Sequence, residues 1–247
     1  MASFEGYALA PQGMIYNYGD RQDRESTDQQ AKYFPYLGFI LKSSTNNIIA
    51  FRGALTPFEQ LEAVNFTQVP YLLGGTSHGK IELGVSEMYI DIPCIKNEEP
   101  LRDQVARGVK SLDKNIPCYV TGHSFGGPFA IITAQELIAT HGISTNNVFM
   151  YNYGANSVGD PEFASIYDTT VPNSYRVVNT QDYVPNYPKP SFTSYINGNV
   201  YHYTHIGQEW SFTYPLYNHL YMPEELYQVD PYYMAVNKQL EKPTRAF

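Results

Sequence analysis

Apolar and polar positions change rhythm several times along this chain. LGFILKS (residues 37–43) and NIIAFRG (47–53) are rich in β-branched and aromatic side chains, and the turn residues SSTN separate them. That pattern predicts two strands of a hairpin. Pro57 then opens a short helical stretch, PFEQLEAV, with proline at the first helical position. In residues 98–113 the apolar side chains Leu101, Val105, Val109 and Leu112 recur at helical spacing and predict an amphipathic helix. PCYVTGH (117–123) is a short apolar strand, and FGGPFAIITAQELIATHG (125–142) a helix that is apolar on most of its surface and ends at Gly142. NVFMYNYG (147–154) and SYRVVNT (174–180) supply further strands. Strands alternating with helices predict an α/β fold, a mostly parallel central sheet with helices on both faces. Residues 1–35 are polar and rich in Tyr and Gln and receive no assignment, and the Tyr/Pro/Asn-rich stretch 190–247 resists assignment.

The chain has 247 residues, which suits one domain spanning 1–247 with a sizeable core. Its net charge is −8 and it has no cluster of about five to eight Lys/Arg, which argues against nucleic acid as a partner and against a polybasic membrane anchor. No run of about 18 apolar residues predicts a transmembrane helix. The opening MASFEGYALAPQG lacks a basic stretch followed by an apolar core, so no secretion signal is expected in it. A soluble protein fits, either cytoplasmic or a secreted one whose leader precedes this numbering. Cys94 and Cys118 are too few for a disulfide framework, and whether they pair is a question of distance. The His and Cys spacing offers no zinc site.

The chemistry concentrates in Tyr119-Val120-Thr121-Gly122-His123-Ser124-Phe125-Gly126-Gly127. This is a G-x-S-x-G motif between a predicted strand and a predicted helix, the context that gives the motif meaning. A serine hydroxyl is a weak nucleophile and must stand clear of the fold beside a base. A tight turn lifts it there and leaves no room for side chains at Gly122 and Gly126. The following helix directs free N–H groups toward the site, so the amide of Phe125 is placed to hold an oxyanion. His123 lies inside the turn. An acid and a base are then sought downstream. Asp182 follows the strand 174–180 by one short step, on the same sheet edge as the turn. Asp160, Asp168 and Asp230 are rivals, though Asp160-Pro161 reads as a helix start and Asp230-Pro231 as a turn. Among the downstream histidines, His219 in the loop YNHLYMPEEL competes with His205 and His202.

These residues together resemble the class 3, fungal-lipase-like hydrolases of the α/β-hydrolase superfamily. The resemblance runs over roughly 36–222 and is carried by Ala50-Phe51-Arg52-Gly53, by Val120–Gly127, by Tyr175–Asn179 leading to Asp182-Tyr183-Val184-Pro185, and by His205–Trp210. It implies a triad of Ser124, Asp182 and His219, a structural place for His205, and an oxyanion hole from the amides of Phe125 and Ala54. It implies no metal or organic cofactor. It also suggests a lid over residues 55–64, with Leu55, Phe58, Leu61 and Val64 as its apolar face and Glu59, Gln60 and Glu62 as its polar one. An ordinary surface helix would show the same pattern. The implied activity is carboxylic-ester hydrolysis, chiefly of acylglycerols at a lipid–water interface, with phospholipids, galactolipids or aryl (feruloyl-type) esters as alternatives. A catalytically inactive hydrolase that only binds is a further alternative, as is a separate carbohydrate-binding module at 190–247. The chain departs from the family pattern at Ala54, where a Ser or Thr is usual, at Glu82-Leu83-Gly84-Val85 in place of His-x-Gly-Phe, and at Gly154–Gly159 in place of G-x-P-R-V-G.

Overall fold

The structure, a computed structural model, describes residues 6–16, 36–92, 99–195, 197–214 and 231–236. A seven-stranded sheet forms its centre, in the order β1 (Ala8–Tyr16), β2 (Tyr36–Lys42), β3 (Asn47–Phe51), β6 (Cys118–His123), β7 (Val148–Tyr153), β8 (Ser174–Asn179) and β11 (Gln208–Phe212). From β3 to β11 all neighbours are parallel, and β2 alone runs against the rest. Two small hairpins stand apart, β4 (Gln68–Leu73) with β5 (Thr76–Glu82), and β9 (Ser191–Thr193) with β10 (Val200–His202).

Of the helices, α1 is Pro57–Glu62, α2 is Leu83–Ser86 continuing into a π turn at Glu87–Asp91, and α3 is Leu101–Val109. Next come α4 (Gly126–Ala139), α5 (Pro161–Thr170) and α6 (Pro231–Val236). α4 lies under the middle of the sheet, and every residue from Gly126 to Leu137 is buried, which is why its sequence is apolar all round. Its neighbours are the inward side chains Ile49, Val120, Val148 and Met150. α3 lies on that same face, where its Gly108 leaves room for Ile40. α6 covers part of the opposite face, Tyr232 packing with Val177 and Phe212. On this second face aromatic rings from adjacent strands stack, Tyr119 on Phe149 at 5.3 Å and Tyr151 on Tyr175 at 5.0 Å between centroids.

The α/β order read from the pattern is therefore present. The departures are short or irregular elements. β1 lies inside the unassigned stretch 1–35; its pairing with β2 slips between Leu9 and Met14, and Gln12 has a positive φ of 57°, so no simple alternation marks it. The hairpin β4–β5 is interrupted by Pro70 and a register shift beside it and has a polar run at Thr76–Lys80, while β9 and β10, of three residues each, are too short to show a period. Cys118 is a buried free thiol, pushed up to about 12 by burial; Cys94 lies outside the described residues.

Polar groups are also built into the core. Glu136 of α4 accepts from Tyr71 and Tyr89 and pairs with Arg102, tying α3, α4, β4 and the π turn together. Glu82, at the end of β5, is fully buried and accepts from Asn156 Nδ2 at 2.8 Å. Burial pushes the Glu82 carboxyl well above its usual range; the Asn156 hydrogen bond opposes the shift and Glu62 adds to it. The folded chain thus holds a proton that the unfolded chain loses near pH 4.5. The contribution of Glu82 to stability is complete below that pH and is lost as pH rises through the folded value. Glu82→Gln stays neutral and can still accept from Asn156, so it should raise the Tm by several degrees at pH 8 and by little at pH 4. Thermal melts of the two proteins at both pH values check this; an equal shift at both would refute it.

Candidate active site

The turn between β6 and α4 is built by close backbone approach. Ser124 has φ +52°, a left-handed conformation that costs a non-glycine residue on the order of 1–3 kcal/mol and recurs at functional sites. Two backbone bonds hold it there, Ser124 N–H to the Tyr153 carbonyl and Gly127 N–H to the Ser124 carbonyl, both 2.9 Å. A Cβ on Gly122 would stand 2.0 Å from the Gly126 carbonyl oxygen, and one on Gly126 would stand 2.4 Å from that of Arg52. Neither position admits a side chain. α4 starts at Gly126 immediately behind Ser124, so the Phe125 amide belongs to the helix N-terminus with its unsatisfied donors.

The loop after β3 lies against the same turn. A Cβ on Gly53 would come within 3.1 Å of Ser124 Cβ and 3.6 Å of Ser124 Oγ. One buried carboxylate organises this loop. Glu59 meets the Arg52 guanidinium through two bonds of 2.9 Å, and its Oε2 also accepts from the amides of Leu55 at 2.7 Å and Thr56 at 3.1 Å. Thr56 Oγ1 accepts from the Glu59 amide in return, a capping box that starts α1. Arg52 Nη1 donates to the Gly53 carbonyl at 2.7 Å. Because the peptide is planar and trans, fixing that carbonyl turns the Ala54 N–H the opposite way.

This network corrects the reading of residues 55–64. The helix spans only Pro57–Glu62, so Leu55 and Val64 flank it. Its buried member is Glu59, drawn inward by Arg52, while Leu61 and Val64 face outward at 68% and 61% exposure and Phe58 is half-buried. Thr56 spends its oxygen on the cap. The T-P-F-E spacing of the capping box, with an arginine just upstream, is the signal in the sequence from which an inward Glu59 could have been read.

Asp182 is buried just beyond β8, and Tyr232 O–H donates to its Oδ2 at 2.6 Å while Val184 N–H donates to Oδ1 at 3.0 Å. Tyr232 in turn accepts from the Asn179 amide and packs edge-on to His123, ring centroids 5.7 Å apart. No local pattern in the sequence announced Tyr232. The rival acids have structural work: Asp160 caps α5 through the Phe163 amide at 2.8 Å, and Asp168 accepts from the Gly207 amide at 2.7 Å. His205 Nε2 donates to the Pro185 carbonyl at 2.6 Å, and burial with Arg176 alongside pushes the imidazole down to about 4. His219 and Asp230 lie outside the described residues. Among the described residues no group of His, Cys, Asp and Glu could hold a metal ion. Glu82 and Asn156, two of the positions that depart from the family pattern, touch each other.

Residues 48–192 match the family model for lipase (class 3). A lipase of Rhizomucor miehei is 30% identical over 170 residues, 67% of this chain and 41% of that protein. Phospholipase A1-IIalpha of Arabidopsis thaliana is 25% identical over 162 residues, 57% of this chain and 38% of that protein. A solved structure of the Rhizomucor miehei lipase in complex with its propeptide superimposes with a TM-score of 0.56 at 25% identity, over 85% of this chain and 56% of that one. The chain thus spans about two fifths of the length of these two relatives.

The Glu59 network yields a prediction about stability. Glu59→Ala strands the Arg52 guanidinium and the amides of Leu55 and Thr56. Breaking a buried pair from one side costs about 3–5 kcal/mol, reduced here because Arg52 keeps 21% of its side chain in water. Urea unfolding should show a loss of at least about 2 kcal/mol. A loss under about 0.5 kcal/mol would mean the network is ornamental.

Proposed function

Since the chain belongs to the class 3 lipase family, we propose that it is a serine carboxylic-ester hydrolase, one domain that cleaves acylglycerols through an acyl-enzyme. The observation that carries this reading is the strained Ser124 backbone, held left-handed between β6 and α4 with Gly53 against its side chain. Strain of this kind clusters where a side chain must be presented in a fixed direction, as a nucleophile is.

In the proposed reaction Ser124 Oγ attacks the ester carbonyl carbon and His219 accepts its proton. Asp182 holds the imidazole in the required tautomer and balances the charge it acquires. The carbonyl oxygen becomes an oxyanion and takes hydrogen bonds from the amides of Phe125 and Ala54. Support for Ala54 comes from the Gly53 carbonyl, fixed by Arg52 on the other side of the same peptide. With Ala54 lacking a hydroxyl, the donors of the hole in this scheme are the two backbone amides. Collapse of the intermediate expels the alcohol, protonated by His219, and water then attacks the acyl-enzyme along the same route. Tyr232 and the Val184 amide restrain the Asp182 carboxylate throughout. Phospholipid esters are the second reading, favoured by the Arabidopsis relative. Residues 55–64 act as a lid in this scheme, with Leu61 and Val64 facing the lipid.

Ser124→Ala should lower kcat on p-nitrophenyl esters by on the order of 10⁶ and abolish labelling by a serine-directed phosphonate. Asp182→Asn should lower kcat by roughly 10⁴ with the fold intact, whereas Asp168→Asn should leave the rate within about threefold. A folded Ser124→Ala protein that keeps a tenth of the activity would remove Ser124 from the mechanism. For the lid, Leu61→Ser should lower the rate on emulsified long-chain esters relative to soluble short-chain ones; an unchanged ratio would show that α1 is an ordinary surface helix.

A further inference from the structure

The stretch from Tyr183 to Gln208 contains no Asp or Glu, in a chain that has 24 of them. Within it, β9 and β10 form a hairpin that joins no other sheet. Two strands of three residues are marginal alone, so the hairpin depends on what it leans against. Its inner side is well anchored. Phe192 meets Phe66 edge-on at 5.6 Å, Tyr203 O–H donates to the Phe66 carbonyl at 2.7 Å, and Gln68 Nε2 donates to the His202 carbonyl at 2.7 Å. Its outer end does the opposite. Tyr195 is 98% exposed and Val200 is 55% exposed. A firmly footed hairpin that holds an aromatic ring and a β-branched side chain out in water is shaped to meet an apolar phase.

The same footing joins the hairpin to α1. Phe66 follows Val64 by two residues, and Val64 and Leu61 are the outward apolar side chains of that segment. Exposed cations flank the hairpin: Lys189, whose Nζ lies 5.4 Å from the Tyr187 ring centroid, and Lys80, close enough to act on the Tyr201 phenol. Tyrosine suits the headgroup level because its ring is apolar and its tip polar. Lys189 and Lys80 suit negative headgroups, with Asp160 the nearest acid, its carboxylate accepting from the Lys80 amide.

We infer that the β9–β10 hairpin is a lipid-docking element, in which Tyr195 and Val200 enter the boundary between headgroups and acyl chains of a surface carrying anionic lipid. The inference rests on the reading of this chain as a hydrolase of lipid esters and gives that enzyme a contact with its substrate phase beyond α1. Binding of this kind is weak and reversible, set by a small apolar area with electrostatic help. It leaves the protein seated without committing any catalytic group.

Co-sedimentation with vesicles of phosphatidylcholine containing a minority of phosphatidylglycerol tests it without requiring turnover. The full chain should sediment with these vesicles and less with phosphatidylcholine alone. The double substitution Tyr195→Ser with Val200→Ser should weaken partitioning about tenfold or more, as loss of two partly immersed apolar side chains implies. Both positions are exposed, so the fold should survive, and an unchanged Tm verifies that. Trp210→Ser, at an exposed position on β11 beside Glu209, should leave partitioning unchanged. Equal sedimentation of the double variant and the parent overturns the inference, as does an equal loss in Trp210→Ser. So does a concentration-dependent dimer that the double variant abolishes, or retention on insoluble polysaccharide in place of vesicles. A parent that sediments but hydrolyses no ester leaves docking standing and removes the hydrolase reading. A parent that hydrolyses soluble esters but ignores vesicles removes docking alone.

Discussion

The backbone of Gly126 lies so close to the carbonyls of Phe51 and Arg52 that no Cβ fits between them. This contact joins the two loops that matter most. On one side it forces the turn from β6 into α4 and holds Ser124 in its left-handed conformation. On the other it brings the end of β3 beside Ser124, so that Gly53 sits against the nucleophile candidate and the Ala54 amide follows. Since β3 and β6 are parallel neighbours, both loops leave the sheet at the same edge. A single methyl group at Gly126 would separate them.

Buried carboxylates hold the rest of the scaffold to this junction, each in its own way. Glu59 is matched by a guanidinium and two amides and fixes the loop that carries Ala54. Glu136 is matched by Arg102 and two phenols at the far end of α4, so the helix that follows Ser124 is pinned at its other end. Burial pushes the Glu136 carboxyl up despite Arg102. Among the described residues Glu82 has no cation beside it, only the neutral amide of Asn156 as hydrogen-bond partner, and burial pushes its carboxyl well up. The residues that depart from the family pattern at 82 and 156 are each other's hydrogen-bond partners.

The tyrosines divide the molecule along its two sheet faces. On the face covered by α4, Tyr71, Tyr89 and Tyr167 are fully buried with their hydroxyls hydrogen-bonded, so they serve as core residues with a polar tip. On the other face Tyr119, Tyr151 and Tyr175 are only half-buried and stack with aromatic neighbours across the strands. Tyr232 stands between these uses, packed on the second face with its hydroxyl directed into the candidate site. At the rim Tyr183, Tyr187 and Tyr195 are exposed.

The sequence by itself determined the alternation of strands and helices and the place of Ser124. Both follow from interactions within a few residues: helical spacing in Leu101–Leu112, a fully apolar α4, and two glycines flanking a serine. It also offered Asp182 among several candidate acids, as the carboxylate one step beyond a parallel strand and so at the sheet edge, and the resemblance to the family chose it. The tertiary structure alone decided what depends on a distant partner. Glu59 reads as a polar surface residue until Arg52 draws it inward. Tyr232 is 50 positions from Asp182, and only the packing of α6 on β8 brings its hydroxyl there. β1 hides in a polar stretch because its irregular register is rescued by pairing with β2. The hairpin of β9 and β10 is too short to show a period and exists because Phe66 supports it. Local periodicity records which face of an element is apolar; which charged or aromatic group meets it is settled only when the chain closes on itself.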